Sequence, residues 1–367
     1  MVKHIGLVIL FFMHSMCSSS DLNWPSMYRG GPERSGLFSG PSLKKIKKVR
    51  WSVKTEGDSY QATGDVFSSM SAANDVVYFG NRLALNAYDM ATGKQRWKHQ
   101  SDGYITGTPA VSNGTVYYGN DECRLYALDV KTGAETWHCT AHARIVSSPL
   151  IVKDAVYFGC NDGHVYAIDT KTGARIWKFK TSGMVVSSPA YWEGALFFGS
   201  YDSIVYSVNT KTGAEIWRFK TGGYVTGTPA IDKGVVYIGS HDYHLYALSA
   251  HDGCVVWKYR TSGYRVTTPA VSSKRVYCAV GPYLCAFESS TGALLWQYKD
   301  GFSDFIVPSV SAGVVYACNW NKNLYAINAK TGKELWRFTA AAVPASSPII
   351  ANGVYFGCRG GYVYALE

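Results

Sequence analysis

Apolar and polar residues alternate along most of the chain in short runs separated by Gly, Asp, Asn and Lys-Thr-Gly breaks. One unit starts at Met184, with runs at 185–191, 195–199, 204–208 and 215–220. Alternation over four to eight residues marks a half-buried strand, and short glycine-bearing breaks mark hairpins. Each unit therefore predicts four short antiparallel strands. The unit recurs about every 40 residues, the signature of a repeat architecture.

The last hairpin carries the strongest signal. Ala-x-Asp-x-x-Thr-Gly-x-x-x-Trp stands at 87–97, 127–137, 167–177 and 326–336, with looser copies at 207–217, 247–257 and 286–296. Its tryptophans, Trp97, Trp137, Trp177, Trp217, Trp257, Trp296 and Trp336, keep one spacing except for a step one residue shorter between Trp257 and Trp296. Asp169 can accept backbone hydrogen bonds and start a turn. Gly173 supplies a positive φ. Trp177 offers a large apolar face and one N–H donor. A single copy reads as a hairpin with a core tryptophan, whereas seven copies in phase predict a ring or a solenoid.

Other columns orient the unit. Tyr117, Tyr157, Tyr237, Tyr277, Tyr316 and Tyr355 share a position in the second strand; Tyr126, Tyr166, Tyr206, Tyr246, Tyr325 and Tyr364 share one in the third. They account for much of the 14% aromatic content as packing between units. Pro109, Pro149, Pro189, Pro229, Pro269, Pro308 and Pro348 fall in the first strand. Proline cannot donate to a ladder, so that strand is an edge, expected to line a central channel. The chain ends on a third strand, Tyr364-Ala365-Leu366-Glu367, and an unpaired fourth strand stands near its start at 47–54, with an eighth tryptophan, Trp51. The ends complement each other, which an open solenoid would not need. The fold class is thus all-β: an eight-bladed propeller of four-stranded blades, closed when the N-terminal strand completes the last blade.

Residues 1–20 read as an export signal, one basic residue before a short apolar run, too short for a comfortable membrane span. Cys17 is a candidate lipid acceptor, although His14 and Met16 fit a lipobox poorly. Residues 21–43 form a Gly/Pro-rich leader expected outside the ring, and 44–367 form a single propeller. The net charge is +10, and Lys44, Lys45, Lys47, Lys48 and Arg50 concentrate part of it before the first strand. Such a run is a solvated face or a contact for an acidic partner or anionic lipid. Nothing resembles a nucleic-acid-binding motif. No cysteine pair has C-x-x-C spacing, so the cysteines are expected to be mostly free, Cys278 and Cys285 being the local pair to check.

The Trp-ended motif, over essentially everything after Lys44, resembles the tryptophan-docking repeat of the pyrroloquinoline-quinone (PQQ) enzyme-like propellers; Trp24-Pro25 and Tyr28-Arg29-Gly30 resemble the leader of exported members. The resemblance implies one of two classes: quinoprotein dehydrogenases holding PQQ and calcium over the channel mouth, or non-enzymatic, BamB-like factors of outer-membrane protein assembly. A third class is an exported ligand-sensing propeller. Connections between units are short, with one insertion around 56–63, and the adjacent cysteine pair of many quinoprotein dehydrogenases is absent. The expected mouth carries Tyr104, Arg144, Met184, Tyr224, Tyr264, Ser303 and Val343, with Arg265 and Asp304 one position on and Asp65 from the insertion. Arg265 and Asp304 either pair as a structural ion pair or serve recognition, and Trp320 is a contact residue or a ring packed on its own blade. This set suits a peptide or polar ligand better than calcium. The reading is an exported, monomeric, non-catalytic scaffold of the cell envelope, in the periplasm or at the outer membrane, with a protein or peptide partner and no cofactor. The alternative is a minimal PQQ-dependent oxidoreductase.

Overall fold

The computed structural model describes residues 29–55, 66, 68–301 and 303–367. The export signal, Cys17, Trp24-Pro25, Tyr28, the 56–63 insertion and Asp65 lie outside the described residues. Eight four-stranded antiparallel sheets make up the described chain. Named from innermost to outermost strand, blade 1 runs from Ser71–Ala73 to Gln95–Gln100, blade 2 from Ala110–Ser112 to Glu135–Thr140, blade 3 from Leu150–Val152 to Arg175–Lys180 and blade 4 from Ala190–Trp192 to Glu215–Lys220. Blade 5 runs from Ala230–Asp232 to Val255–Arg260, blade 6 from Ala270–Ser272 to Leu294–Lys299 and blade 7 from Ser309–Ser311 to Glu334–Thr339. Blade 8 is built from both ends of the sequence: Ile349–Ile350, Val354–Gly357 and Tyr362–Leu366 are completed by Val49–Lys54, with Trp51 opposite Ala365. The ring closes as expected.

The turn chemistry explains the motif. Asp169 accepts hydrogen bonds on Oδ1 from the Lys171 and Thr172 amides (3.1 and 2.8 Å) and from the Thr172 hydroxyl (2.8 Å), and Thr172 Oγ1 accepts from the Ala174 amide at 3.2 Å. The turn so built becomes the seat for the tryptophan of the preceding blade. The Trp177 indole N–H donates to the Thr210 carbonyl in blade 4 at 2.9 Å, and the Tyr157 hydroxyl donates to the same oxygen at 3.2 Å. A Cβ on Gly213 would lie 2.8 Å from the Trp177 ring, and its φ is +70°, so only glycine lets the indole lie flat there. Trp97, Trp137, Trp217, Trp257 and Trp296 bond the next blade in the same way, through Val130, Thr170, Ala250, Ser289 and Ala329, and Trp51 does so through Met90.

Two expectations need correction. The first strand is shorter than its apolar run: in blade 4 it is Ala190–Trp192, and Pro189 stands just before it. Residues ahead of the proline spend their polar groups on neighbouring blades instead, as when Ser187 Oγ donates to the Gly227 carbonyl and Ser188 Oγ accepts from the Ser148 amide. The leader does not lie outside the ring: residues 29–43 cross the inner edges of the blades on the turn side. Blade 8 has no turn between its third and outer strands, because the outer strand comes from the other end of the sequence. The Leu43 carbonyl stands in for it, accepting from the Trp336 indole at 2.7 Å and the Tyr316 hydroxyl at 3.3 Å. All eight described cysteines are free thiols, including Cys278 and Cys285, which face each other across neighbouring strands.

Candidate functional site

The face opposite the Thr-Gly turns is formed by the loops that leave each outer strand for the next blade and by the hairpins between second and third strands. Most of the described inter-blade loops are tied down by one repeated backbone bond, the loop carrying Tyr264 being the exception. The carbonyls of Tyr104, Arg144, Met184 and Tyr224 accept from the amides of Asp121, Asn161, Tyr201 and His241, at 2.8–3.1 Å, and Val343 accepts from Arg359 at 2.9 Å. Asp304 accepts from the Trp320 amide at 3.4 Å. The backbone is thus held alike in these loops while the side chains it presents differ.

Tyr104, Arg144, Met184, Tyr224, Tyr264, Arg265, Asp304 and Trp320 are all exposed on this face. They do not form one cluster. Tyr104 pairs locally, with the Arg82 guanidinium 5.6 Å from its ring centre. Trp320, 57% exposed, lies under the Arg359 guanidinium of blade 8 at 5.4 Å, so its partner is the neighbouring blade and not its own. Tyr264, Arg265 and Asp304 do come together, in a cleft of about 460 Å³ that they line with Tyr243, Gly263, Thr267, Gly281 and Phe305. Among the described residues Arg265 and Asp304 form no ion pair with each other, so both charges remain available to a ligand in the cleft.

The cleft has a cause in the repeat. The hairpin of blade 6, Val280-Gly281-Pro282, is one residue shorter than that of blade 5, Ser240-His241-Asp242-Tyr243. This is where the tryptophan spacing loses its residue. Sequence reasoning noted the short step without reading it as an opening. It also missed the aromatic side chains beside the cleft: Tyr201 and His241 flank Tyr224 at ring distances of 5.0 and 6.0 Å, and Tyr283 meets Tyr264 edge-on at 6.2 Å. His241 Nε2 lies 2.9 Å from Thr226 Oγ1. Burial, and then the nearby Arg265 charge, hold the His241 pKa below its ordinary value, because both disfavour a second positive charge there.

The sequence matches the repeat family described as outer membrane protein assembly factor BamB, over residues 83–190, 161–299, 201–337 and 265–367. The chain belongs to that family. No curated protein matches it in sequence. Solved structures that share the fold include BamB from Moraxella catarrhalis, 18% identical, with a TM-score of 0.76 over 87% of this chain and 99% of that one. Quinohemoprotein alcohol dehydrogenase from Comamonas testosteroni is 14% identical, with a TM-score of 0.80 over 94% of this chain and 80% of that one. The computationally designed protein Ika8 is 17% identical, with a TM-score of 0.75 over 83% and 96%. At such identities the likeness is one of fold, and the fold serves both a non-enzyme and dehydrogenases.

The described residues of the mouth do not by themselves supply the ligands of a calcium-bound quinone. A hard cation takes six to eight oxygen ligands, several of them carboxylates. Among the described residues no three His, Cys, Asp or Glu side chains are grouped to hold a metal ion. The carboxylates nearest the mouth already serve the scaffold: Asp162, Asp202 and Asp242 accept from the hydroxyls of Tyr166, Tyr206 and Tyr246 at 2.6–2.8 Å. Among the described residues that line the cleft, Asp304 is the one carboxylate. No helix among the described residues is long and apolar enough to cross a membrane.

Proposed function

We propose that this chain is an exported, non-catalytic scaffold of the cell envelope that binds a protein partner at its mouth, as a factor in outer-membrane protein assembly. The observation that carries this reading is the contrast between backbone and side chains across the inter-blade loops. The same backbone bond recurs at Tyr104, Arg144, Met184, Tyr224 and Val343, yet the side chains at these places and at Tyr264 vary and are rich in tyrosine and arginine. A ring built for stability alone has no use for that variation, and these two residue types dominate binding hot spots, where truncation commonly costs about 2 kcal/mol or more. The working centre is the Tyr264–Arg265–Asp304 cleft with Tyr224 beside it. Family membership supports placement in the periplasm or at the outer membrane, with the export signal at 1–20 and Cys17 as the attachment point in the same reading.

The test is binding of the mature protein to the purified assembly machinery of its own envelope, measured by surface plasmon resonance. Tyr264→Ala with Arg265→Ala should weaken binding at least about tenfold and leave the melting temperature nearly unchanged. Binding unaltered by the double substitution would remove the cleft from the reading. Dye-linked alcohol oxidation on adding PQQ and calcium, lost in the same variant, would replace the scaffold reading with the dehydrogenase one.

A further inference from the structure

The innermost strand of each blade leaves one edge without a strand partner, facing the central channel. The leader supplies partners. The carbonyls of Pro32, Glu33, Ser35 and Gly36 accept from the amides of Tyr191, Ile231, Val271 and Val310, at 2.7–2.9 Å, one in each of blades 4, 5, 6 and 7. Phe38 returns a bond, its amide donating to the Val310 carbonyl at 2.8 Å, and Ser311 Oγ donates to the Gly40 carbonyl. Phe38 packs among the buried residues of blades 7, 8 and 1, and Leu43 completes the docking of Trp336. A segment with no alternating pattern of its own thus bridges successive blades.

Two side chains pin it. Arg29 and Arg34 are 1% and 0% exposed. Burying a guanidinium is costly unless its N–H groups find acceptors. Here the acceptors are the carbonyls at the proline column, just ahead of the inner strands, where no neighbouring strand uses them. Arg29 donates to the carbonyls of Pro308 (3.2 Å) and Pro269, ahead of the inner strands of blades 7 and 6. Arg34 donates to Pro189 (3.1 Å), ahead of blade 4, and to Pro149 and Ser148 (2.7 and 3.1 Å), ahead of blade 3. Each planar fork therefore spans two adjacent blades, which a lysine ammonium, a compact point charge, cannot do as well. Between them the chain folds back on itself, with the Gly36 amide donating to the Arg29 carbonyl at 3.0 Å. A Cβ on Gly36 would lie 2.7 Å from that of Ala270, so the loop seats only with glycine there.

We propose that the turn-side end of the channel is a peptide-binding site for an extended segment carrying two arginines five residues apart, and that residues 29–43 are its resident ligand, clasping blades 3–8. The recognition is by backbone carbonyls of the ring for guanidinium and by backbone carbonyls of the peptide for the inner-edge amides. The site is formed by the ring alone, so an equivalent peptide on a separate chain fills it equally well.

The experiment uses the full mature chain with a site-specific protease sequence inserted after the exposed Lys45, cut in the folded state. A fluorescein-labelled synthetic peptide of residues 21–43 is the probe. The cut leader should stay with the ring on size exclusion and exchange with labelled peptide. The peptide with Arg29→Ala and Arg34→Ala should bind at least about a hundredfold more weakly, since the ring's carbonyls lose both guanidinium donors. A leader that separates from a ring whose melting temperature is unchanged overturns the proposal, as does equal binding of the double-alanine peptide. If the cut protein precipitates, hydrogen exchange of the uncut chain with Arg34→Lys decides. Faster exchange at Tyr191 and Val310 supports the clasp, and unchanged protection overturns it.

Discussion

The two faces of the ring use the same repeat in opposite ways. On the turn side, Trp97, Trp137, Trp177, Trp257 and Trp296 meet a Thr-Gly seat in the next blade and Trp217 an Asp-Gly one, and the variation between copies is small. On the mouth side the loops of Tyr104, Arg144, Met184, Tyr224 and Val343 share a backbone bond but present different side chains at matching places, and Tyr264 occupies the matching place in the loop that lacks the bond. Where a contact recurs identically, it holds neighbouring blades in register. Where only the backbone recurs, the side chains are free to be chosen for something outside the ring. The difference separates residues kept for folding from residues available for recognition, and it does so within one chain.

The comparison breaks most visibly by removing one ring from the turn side. Trp217 is 8% exposed, and its indole donates to the Ala250 carbonyl at 3.0 Å. Trp217→Ala should cost about 3–5 kcal/mol in urea unfolding, because the cavity between two sheets cannot close. Tyr224→Ala, exposed on the mouth, should stay within about 0.5 kcal/mol of the parent. Equal losses would erase the distinction between the faces. A milder insult to the same contact is Gly213→Ala, which strains a positive φ and pushes a methyl group against the Trp177 ring; a loss of about 1–3 kcal/mol is expected in the same measurement.

Smaller effects sharpen the contrast. Glu33 lies in the leader, and burial raises its pKa. The folded state therefore holds the proton more tightly than the unfolded chain, so this group's contribution is fully present in acid and is lost as pH rises through the folded pKa. Glu33→Gln should raise the melting temperature at neutral pH, and the gain should vanish in acid, where the carboxyl is protonated in both states. On the mouth, the His241 pKa is held down by burial and by Arg265. Acidification below the ordinary histidine pKa should destabilise the fold slightly, since the unfolded ring takes up the proton more readily. Arg265→Ala should move the His241 titration upward in NMR with little change in stability; a titration that stays put would place Arg265 away from the ring.

Much of the ring was legible before any coordinates. Periodicity identified the blades, the unmatched strands at 47–54 and 362–366 announced closure, and the tyrosine and tryptophan columns named the packing between blades. These features are local or repeated, so each copy corroborates the others. The mouth residues were placed on the right face by counting from the repeat, but their grouping was not legible. That Tyr264, Arg265 and Asp304 share a cleft while Tyr104 and Trp320 lie under guanidiniums elsewhere depends on one short hairpin in blade 6 and on contacts between blades.

The leader marks the limit most clearly. Its sequence has no alternation and no repeat, and from composition alone Arg29 and Arg34 belong to a polar tail. Their burial follows from the ring: eight inner edges arranged around one axis bring proline carbonyls together that stand about 40 or more residues apart along the chain. By itself the sequence determined what each unit is and how many units there are, because strand, turn and docking tryptophan are written into every copy. Only the tertiary structure decided what the closed channel binds, because the acceptors for those guanidiniums and the donors for the leader's carbonyls exist as a site only once the blades stand side by side.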